Sequence, residues 1–297
     1  MFLSIFSRAD TVEPTLSYQE ALSTTLDSLL SELNIPHAAN LDSMINASQV
    51  WRRKPGQERW ELPELDIPAE KKSRVFELLE KLGLMASVVP TGKHYDSVLF
   101  LGATVPAMKH RLDNLIHLWN EGVRFRRLIY LVGQRPLDPT TDHLKLLAIL
   151  PEDQHSKTLD PYPFTETEAA MMLHQLAPMP AAMKALPIEF IDTPRKWRNG
   201  YWHRPNTRDT LKHWKKNSPS PGSTLVISGQ PYGNYQKEVV RQELPEGFLV
   251  DLAAGSAGSA TRLVIYLDAL ALWLHNLQIP NTSNVAPLKT VTPPGRH

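Results

Sequence analysis

The sequence predicts an α/β protein that is Rossmann-like and doubly wound, with a mainly parallel sheet of about five strands and a helical N-terminal unit. The first observation is a series of short apolar runs after His94, most of which end in glycine: DSVLFLG, RLIYLVG, PIEFID, STLVISG and GFLVDLAAG. The second is that segments with helical spacing of apolar residues lie between these runs. Continuously apolar strands are typical of parallel sheets that are buried on both faces.

The crossover helices are identified by their spacing and by their cap residues. The apolar residues of MKHRLDNLIHLW share one helical face, and Gly122 follows as a C-terminal signal. Thr165 and Glu168 have the spacing of a capping box, which predicts a helix over ETEAAMMLHQL. Further helical segments precede and follow the last two strands: NTRDTLKHW, YQKEVVRQEL and ATRLVIYLDALALWLHNL.

The chain divides into three predicted parts. Residues 1–90 form a helical unit, because leucines recur at helical spacing from position 16 to 33 and again after Pro68. These apolar stripes need the main domain to cover them. Residues 91–278 form the Rossmann-like domain, and residues 279–297 form a Pro-rich tail.

Composition excludes several classes of function. The chain has 297 residues, with 32 Lys and Arg against 31 Asp and Glu, so its net charge of +1 makes nucleic acid an unlikely partner. It has no Cys, which removes disulfides and thiolate chemistry and fits a cytoplasmic location. The apolar run in the opening MFLSIFSRAD is too short for the core of a signal peptide. No stretch of the sequence is long and apolar enough to span a membrane.

A ligand site is expected at the carboxyl ends of the strands, where parallel sheets bind ligands. Gly102, Gly133, Gly229 and Gly255 end four of the apolar runs. Each glycine is also explained by a tight strand-to-helix turn. The polar residues at these ends are further candidates for ligand contact: Gln134, Ser228 and Gln230. The sequence has neither a Walker motif nor a Gly-x-Gly-x-x-Gly motif, and no His near Ser228 supports a serine hydrolase.

The order of motifs LFLGAT, RLDNLIHLWNEG, LIYLVGQ, TETEAAMMLHQL, RPNTRDTLKHW and LVISGQPYGNYQKEVV resembles the SanA/YdcF/ElyC-like family over residues 94–244. The resemblance implies a bacterial protein with a Rossmann-like fold that binds nucleotide-like or phosphorylated molecules. It also implies a set of residues around one crevice: Arg111, Gly133, Glu168, Asn206 and Thr207.

Two departures from the family pattern stand out. Where the family has Asn-Thr-x-Glu-Asn, this chain continues after Asn206 and Thr207 with Arg208, Asp209 and Thr210. After the fourth strand the family has a His and an Arg, whereas this chain has SGQPYGNYQ.

Each candidate also has a structural interpretation. Arg111 either reaches a phosphate or forms a surface contact with Asp113 or Asn114. Glu168 is explained by the capping box, and its neighbour Glu166 is a spare acid. Asn206 and Thr207 are good helix N-caps, although a cap beside a crevice can also orient a bound anion.

Two loops carry further candidates. The segment PRKWRNGYWHRPNTR interleaves five basic residues with aromatic ones, so it either holds a phosphorylated ring or packs over the crevice. The segment DPTTD places Asp138 and Asp142 where they either hold Mg²⁺ or form an Asx turn with a helix cap. The His residues have no zinc spacing, so we expect no metal site of that kind.

Three hypotheses of function follow. In the first, the protein binds a phosphorylated or nucleotide-like small molecule and hydrolyses or transfers a phosphoryl-type group. Arg111 and Arg208 then neutralise the anion, Asn206 and Thr207 orient it, and the acid/base group is Glu168 or Asp209. In the second, the domain is a degenerate module whose N-terminal unit recruits a protein partner. In the third, the basic aromatic loop binds nucleic acid. No cofactor is identified.

Overall fold

The computed structural model describes residues 18–138, 142, 145, 146, 148, 163–258 and 260–278. The predicted tail at 279–297 and the opening residues lie outside this part of the chain. The N-terminal unit is helical, as the leucine spacing predicts. Its elements are α1 (Tyr18–Glu32), α2 (Leu41–Ser48), two short 3₁₀ turns (Gln49–Trp51 and Arg59–Glu61) and α3 (Ala69–Lys81).

The main domain alternates strands and helices. In chain order its elements are β1 (His94–Tyr95), β2 (Ser97–Leu101), α4 (Val105–Asn120), β3 (Arg124–Phe125), β4 (Leu128–Gly133), α5 (Glu166–Leu176), α6 (Ala181–Lys184), β5 (Ile188–Thr193), β6 (Lys196–Arg198), β7 (Tyr201–His203), α7 (Thr207–Lys215), β8 (Ser223–Gly229), α8 (Gly233–Glu243), β9 (Leu249–Gly255) and α9 (Leu263–Gln278). The predicted five-stranded sheet is confirmed. Its order is β5-β4-β2-β8-β9 and every pairing in it is parallel.

Helices cover both faces of the sheet, so the prediction of a doubly wound fold is also confirmed. Successive side chains of β2 point to opposite faces. Val98 and Phe100 pack in one cluster with Met108 of α4. Leu99 packs in the other, with Trp214 of α7.

The strand order has a switch point between β2 and β8. The chain moves outward from β2 to β4 and β5, then returns to place β8 on the other side of β2. In open parallel sheets a crevice forms where the connections diverge in this way. Gly102 and Gly229, at the ends of these two strands, border that position.

The N-terminal unit packs on the last helix. Leu26 and Leu29 of α1 and Leu79 of α3 share a fully buried cluster with Leu267 and Leu270 of α9. The main domain therefore supplies the cover that these apolar stripes need. Burying each leucine contributes about 1.5–3 kcal/mol, so this cluster holds the segment between α2 and α3 against the domain.

The basic aromatic segment forms a β-hairpin, whereas the sequence pattern predicted an irregular loop. Strands β6 and β7 pair antiparallel around Asn199 and Gly200, which have φ of 52° and 84°. Positive φ at both central residues is the geometry that an Asn-Gly pair favours in two-residue hairpin turns. Among the described helices, none is long and apolar enough to cross a bilayer.

Candidate functional site

Arg111 lies buried at the switch point, with 3% of the residue exposed. Its Nη1 donates to the carbonyls of Leu101 at 2.7 Å and Gly102 at 3.0 Å, and its Nη2 donates to Gln236 Oε1 at 3.3 Å. Its Nε is buried and has no hydrogen-bond partner within the described chain. A Cβ atom on Gly229 would lie 3.9 Å from this Nε, so the unused donor faces the end of β8. The alternative surface contact is not formed: Asp113 pairs with Lys109.

The Ser228 hydroxyl contacts a glutamine that also holds Arg111. Its hydroxyl is fully buried and donates to Gln236 Oε1, the same oxygen that accepts from Arg111. Gln236 therefore links the end of β8 to the guanidinium. This arrangement makes Ser228 a positioning residue for Arg111.

Glu166 places a carboxylate at the crevice, although its position beside the capping box predicts only a spare acid. It is the first residue of α5 and is buried, and it lies between Thr165 and Glu168, which form the capping box of this helix. Its carboxylate lies against Gly102, where an added Cβ would stand 2.7 Å from Cδ. Gly102 is thus required for this close approach.

Burial raises the pKa of Glu166, and three arginines and the Gly133 backbone only partly oppose that effect. The arginines are Arg135, Arg204 and Arg111. The Nε of Arg135 lies 3.6 Å from Glu166, which is long for a hydrogen-bonded ion pair. The crevice therefore holds a carboxyl group whose charged form is unfavourable.

Arg135 connects Glu166 to the segment after β4. It donates to the carbonyl of Ala103 at 3.1 Å and lies 3.8 Å from Asp142. Asp142 also accepts the backbone N–H of Asp138 at 3.1 Å. Asp142 thus faces an arginine, and no group of three or more acidic or His side chains among the described residues could hold a metal ion.

The N-terminal unit adds two more arginines. Asp268 of α9 is fully buried and accepts from the Arg53 backbone at 3.2 Å and from Arg59 Nε at 3.1 Å. The Arg59 guanidinium lies 4.5 Å from the ring centroid of Tyr232, at the start of α8. Arg53 Nη1 is buried without a hydrogen bond in the described chain, 3.9 Å from Asp268. Burial and the charge of Arg59 lower the pKa of Arg53.

The two predicted acid/base residues serve helix caps instead. Glu168 accepts the backbone N–H groups of Phe164 and Thr165, so its carboxylate serves the helix cap. Asp209 caps α7 by accepting from the Asn206 backbone and pairs with Lys196. The pKa of Asp209 lies below its ordinary value, because these two hydrogen bonds outweigh the opposing effect of burial.

Arg208 is directed away from the switch point. Its guanidinium contacts Glu243 at 2.8 Å and also the side chains of Gln242 and Asn276, near the C-terminal ends of α8 and α9. We therefore do not include Arg208 in the crevice.

The remaining polar residues among the predicted ones also have structural roles. The Asn206 side chain accepts from the backbones of Arg208 and Asp209 as the N-cap of α7, whose first residue is Thr207. Gln134 donates to Asp192 at 2.8 Å. Gln230 donates to the carbonyls of Gly83 and Ala86, which ties β8 to the N-terminal unit.

Gly133 is needed for packing. A Cβ there would lie 2.5 Å from Pro205 and 2.7 Å from the Thr193 carbonyl.

An open pocket of about 250 Å³ lies beside the crevice. It is lined by Lys196, Arg198, Asn199, His203, Arg204, Pro205, Asn206 and Asp209. Arg204 pairs with Glu58 at 2.8 Å and its charge also acts on Glu166 and Arg53, so it belongs to both the pocket and the crevice. A larger groove of about 410 Å³ follows the polar face of α4 and does not include these arginines.

The fold and the site define a class: an α/β protein with Rossmann-like strand order and a buried cationic crevice at its switch point. No protein-family model matches the sequence, and no curated protein matches it. The resemblance to SanA/YdcF/ElyC-like proteins accordingly stays a prediction.

Proposed function

We propose that the crevice binds the phosphoryl group of a phosphorylated or nucleotide-like small molecule. The supporting observation is a pair of buried guanidinium donors, Arg111 Nε and Arg53 Nη1, that have no partner in the described chain. A buried donor without an acceptor costs about 1–3 kcal/mol, and more when it is charged. An anion that accepts from these donors would recover that free energy.

The balance of charge favours an anion. Five arginines are linked to four carboxylates by ion pairs or charge effects in and next to the crevice: Arg53, Arg59, Arg111, Arg135 and Arg204 against Glu58, Asp142, Glu166 and Asp268. The contacts of Arg53 and Arg135 with these acids are long, between 3.6 and 3.9 Å. Burial lowers the pKa of Arg111 to about 10, and the nearby Glu166 only partly opposes this effect.

The backbone around α8 favours phosphate in particular. Tyr232, the N-cap residue of α8, makes no side-chain cap hydrogen bond, and this helix begins four residues after Gly229. The N-terminus of a helix attracts phosphate through its first backbone N–H groups and through the helix dipole. Arginine adds a planar fork of donors that matches phosphate oxygens.

The proposal extends to hydrolysis or transfer of the phosphoryl group, with Glu166 as the proton-transfer residue. A buried carboxyl beside the arginines, with its pKa raised by burial, is a candidate general acid or base. Glu168 and Asp209, the earlier candidates, are held in helix caps.

Calorimetric titration of the full chain with inorganic phosphate, AMP, a prenyl phosphate and S-adenosylmethionine tests the proposal. We expect binding of phosphate compounds that is lost in Arg111→Gln. Arg126→Gln is the matched control, because this arginine is exposed and precedes β4 at the opposite edge of the sheet. Binding of S-adenosylmethionine alone, or unchanged phosphate affinity in Arg111→Gln, contradicts the proposal.

A further inference from the structure

We propose that the site continues from the buried crevice into the open pocket beneath the β6–β7 hairpin, and that its ligand is a diphosphate ester. This inference rests on the proposed function and deepens it. The first phosphoryl group lies at Arg111 and Arg53, and the second lies among the basic side chains of the hairpin.

The two faces of the hairpin differ in chemistry. Trp197 and Trp202 are cross-strand partners and leave 58% and 55% of their area exposed. The neighbouring pairs, Lys196 with His203 and Arg198 with Tyr201, project to the other face because side chains alternate along a strand. Lys196, Arg198 and His203 line the pocket. The hairpin thus presents its basic face to the pocket and its tryptophans outward.

The charge in the pocket is only partly neutralised. Lys196 pairs with Asp209, and Arg204 pairs with Glu58. Arg198 has no ion-pair partner within the described residues, and its carbonyl contacts His203 at 3.2 Å. The start of α7, capped by Asn206, also faces this pocket. An anionic group is the best match to such a lining.

Two residues of the pocket lining link it to the crevice. Pro205 lines the pocket and packs on Gly133 at the end of β4. Arg204 lines the pocket and lies close enough to Glu166 and Arg53 for its charge to shift the pKa of each.

A monophosphate ester does not match this arrangement as well. Its single anion would fill the crevice and leave an uncharged group against Lys196, Arg198 and His203. A second phosphoryl group next to the first places charge where the basic side chains converge. The ligand class is therefore a molecule with adjacent phosphoryl groups, such as a nucleoside diphosphate or another diphosphate ester.

Titration of the full chain with inorganic phosphate and with pyrophosphate, in buffer without divalent cations, tests the inference. We expect pyrophosphate to bind at least tenfold more tightly than phosphate. Arg198→Gln should remove about tenfold of the pyrophosphate affinity and leave phosphate affinity unchanged, since a charge-assisted hydrogen bond contributes about this factor. Arg198 is exposed, so the variant should fold, and Arg126→Gln is again the control.

The two proposals fail in different ways. The diphosphate inference is wrong if the protein binds the two anions with equal affinity. It is also wrong if Arg198→Gln binds pyrophosphate as tightly as the native protein does. Both results leave the proposed function standing. An equal loss for both anions in Arg198→Gln also overturns the diphosphate inference, because the hairpin would then act on the first phosphoryl site. Absence of binding by both anions refutes both proposals.

Discussion

Arg111→Gln should reduce phosphate affinity about 100-fold without a matching loss of stability in the ligand-free protein. A pKa of about 10 lies more than two pH units below that of a free guanidinium, and each unit corresponds to about 1.4 kcal/mol. The charged state of the buried side chain therefore costs roughly 3 kcal/mol. An anion that restores the ordinary pKa recovers this free energy, which is equivalent to about two powers of ten in affinity.

Calorimetry and thermal unfolding together measure this effect. Phosphate at 100 times its dissociation constant should stabilise the native protein by about 2.7 kcal/mol, and at the same concentration it should stabilise the variant hardly at all. Glutamine retains an amide donor for the carbonyls of Leu101 and Gly102, which limits structural damage. An affinity within threefold of the native value refutes the reasoning. An equal loss in the free energy of unfolding, measured without phosphate, and in the free energy of binding also refutes it. Arg111 would then be a structural residue.

Three further predictions concern stability. Asp268→Asn should lower the free energy of unfolding by about 3 kcal/mol in urea titration, because it leaves the Arg59 charge without its buried partner. The exposed control Asp113→Asn should change this free energy by less than about 0.5 kcal/mol. Equal effects in these two variants would contradict the assigned role of Asp268. Leu270→Ala should cost about 3 kcal/mol in the same assay, since this side chain is fully buried between α9 and the N-terminal unit, and a loss below 1 kcal/mol would contradict that packing. Glu166 has a raised pKa, so the folded state binds its proton more tightly than the unfolded state, and stability should fall as pH rises above about 4.5. Glu166→Gln should lose this part of the pH dependence, and an unchanged pH profile of unfolding would argue against the buried carboxyl.

The sheet could be predicted from the sequence because its signal is local. Five strands buried on both faces leave five continuous apolar runs, and caps such as Thr165 mark the helix starts. The hairpin also left a local signal, the Asn199-Gly200 pair, but the basic and aromatic composition around it was interpreted as a loop.

The site was only partly predictable because its contacts join distant parts of the chain. Gly102 and Arg111 follow from the strand-end rule and the resemblance. Arg53 and Arg59 lie in a polar, Pro-containing segment whose partner, Asp268, is more than 200 positions away. Nothing in the local pattern reveals such a pairing. The role of Glu166 is not predictable from the sequence, because the capping box explains Thr165 and Glu168 and says nothing about the direction of the residue that follows the N-cap.

The packing of α1 and α3 on α9 has a consequence for synthesis. The leucines of α1 and α3 leave the ribosome before residues 263–278, which supply the surface that covers them. Until α9 has been synthesised these helices expose their apolar faces, and nascent chains in that state are prone to associate with one another. A chain that stops before α9 would lack both this shelter and the carboxylate that holds Arg59, so loss of the last helix should leave a product that aggregates and lacks an intact ligand crevice.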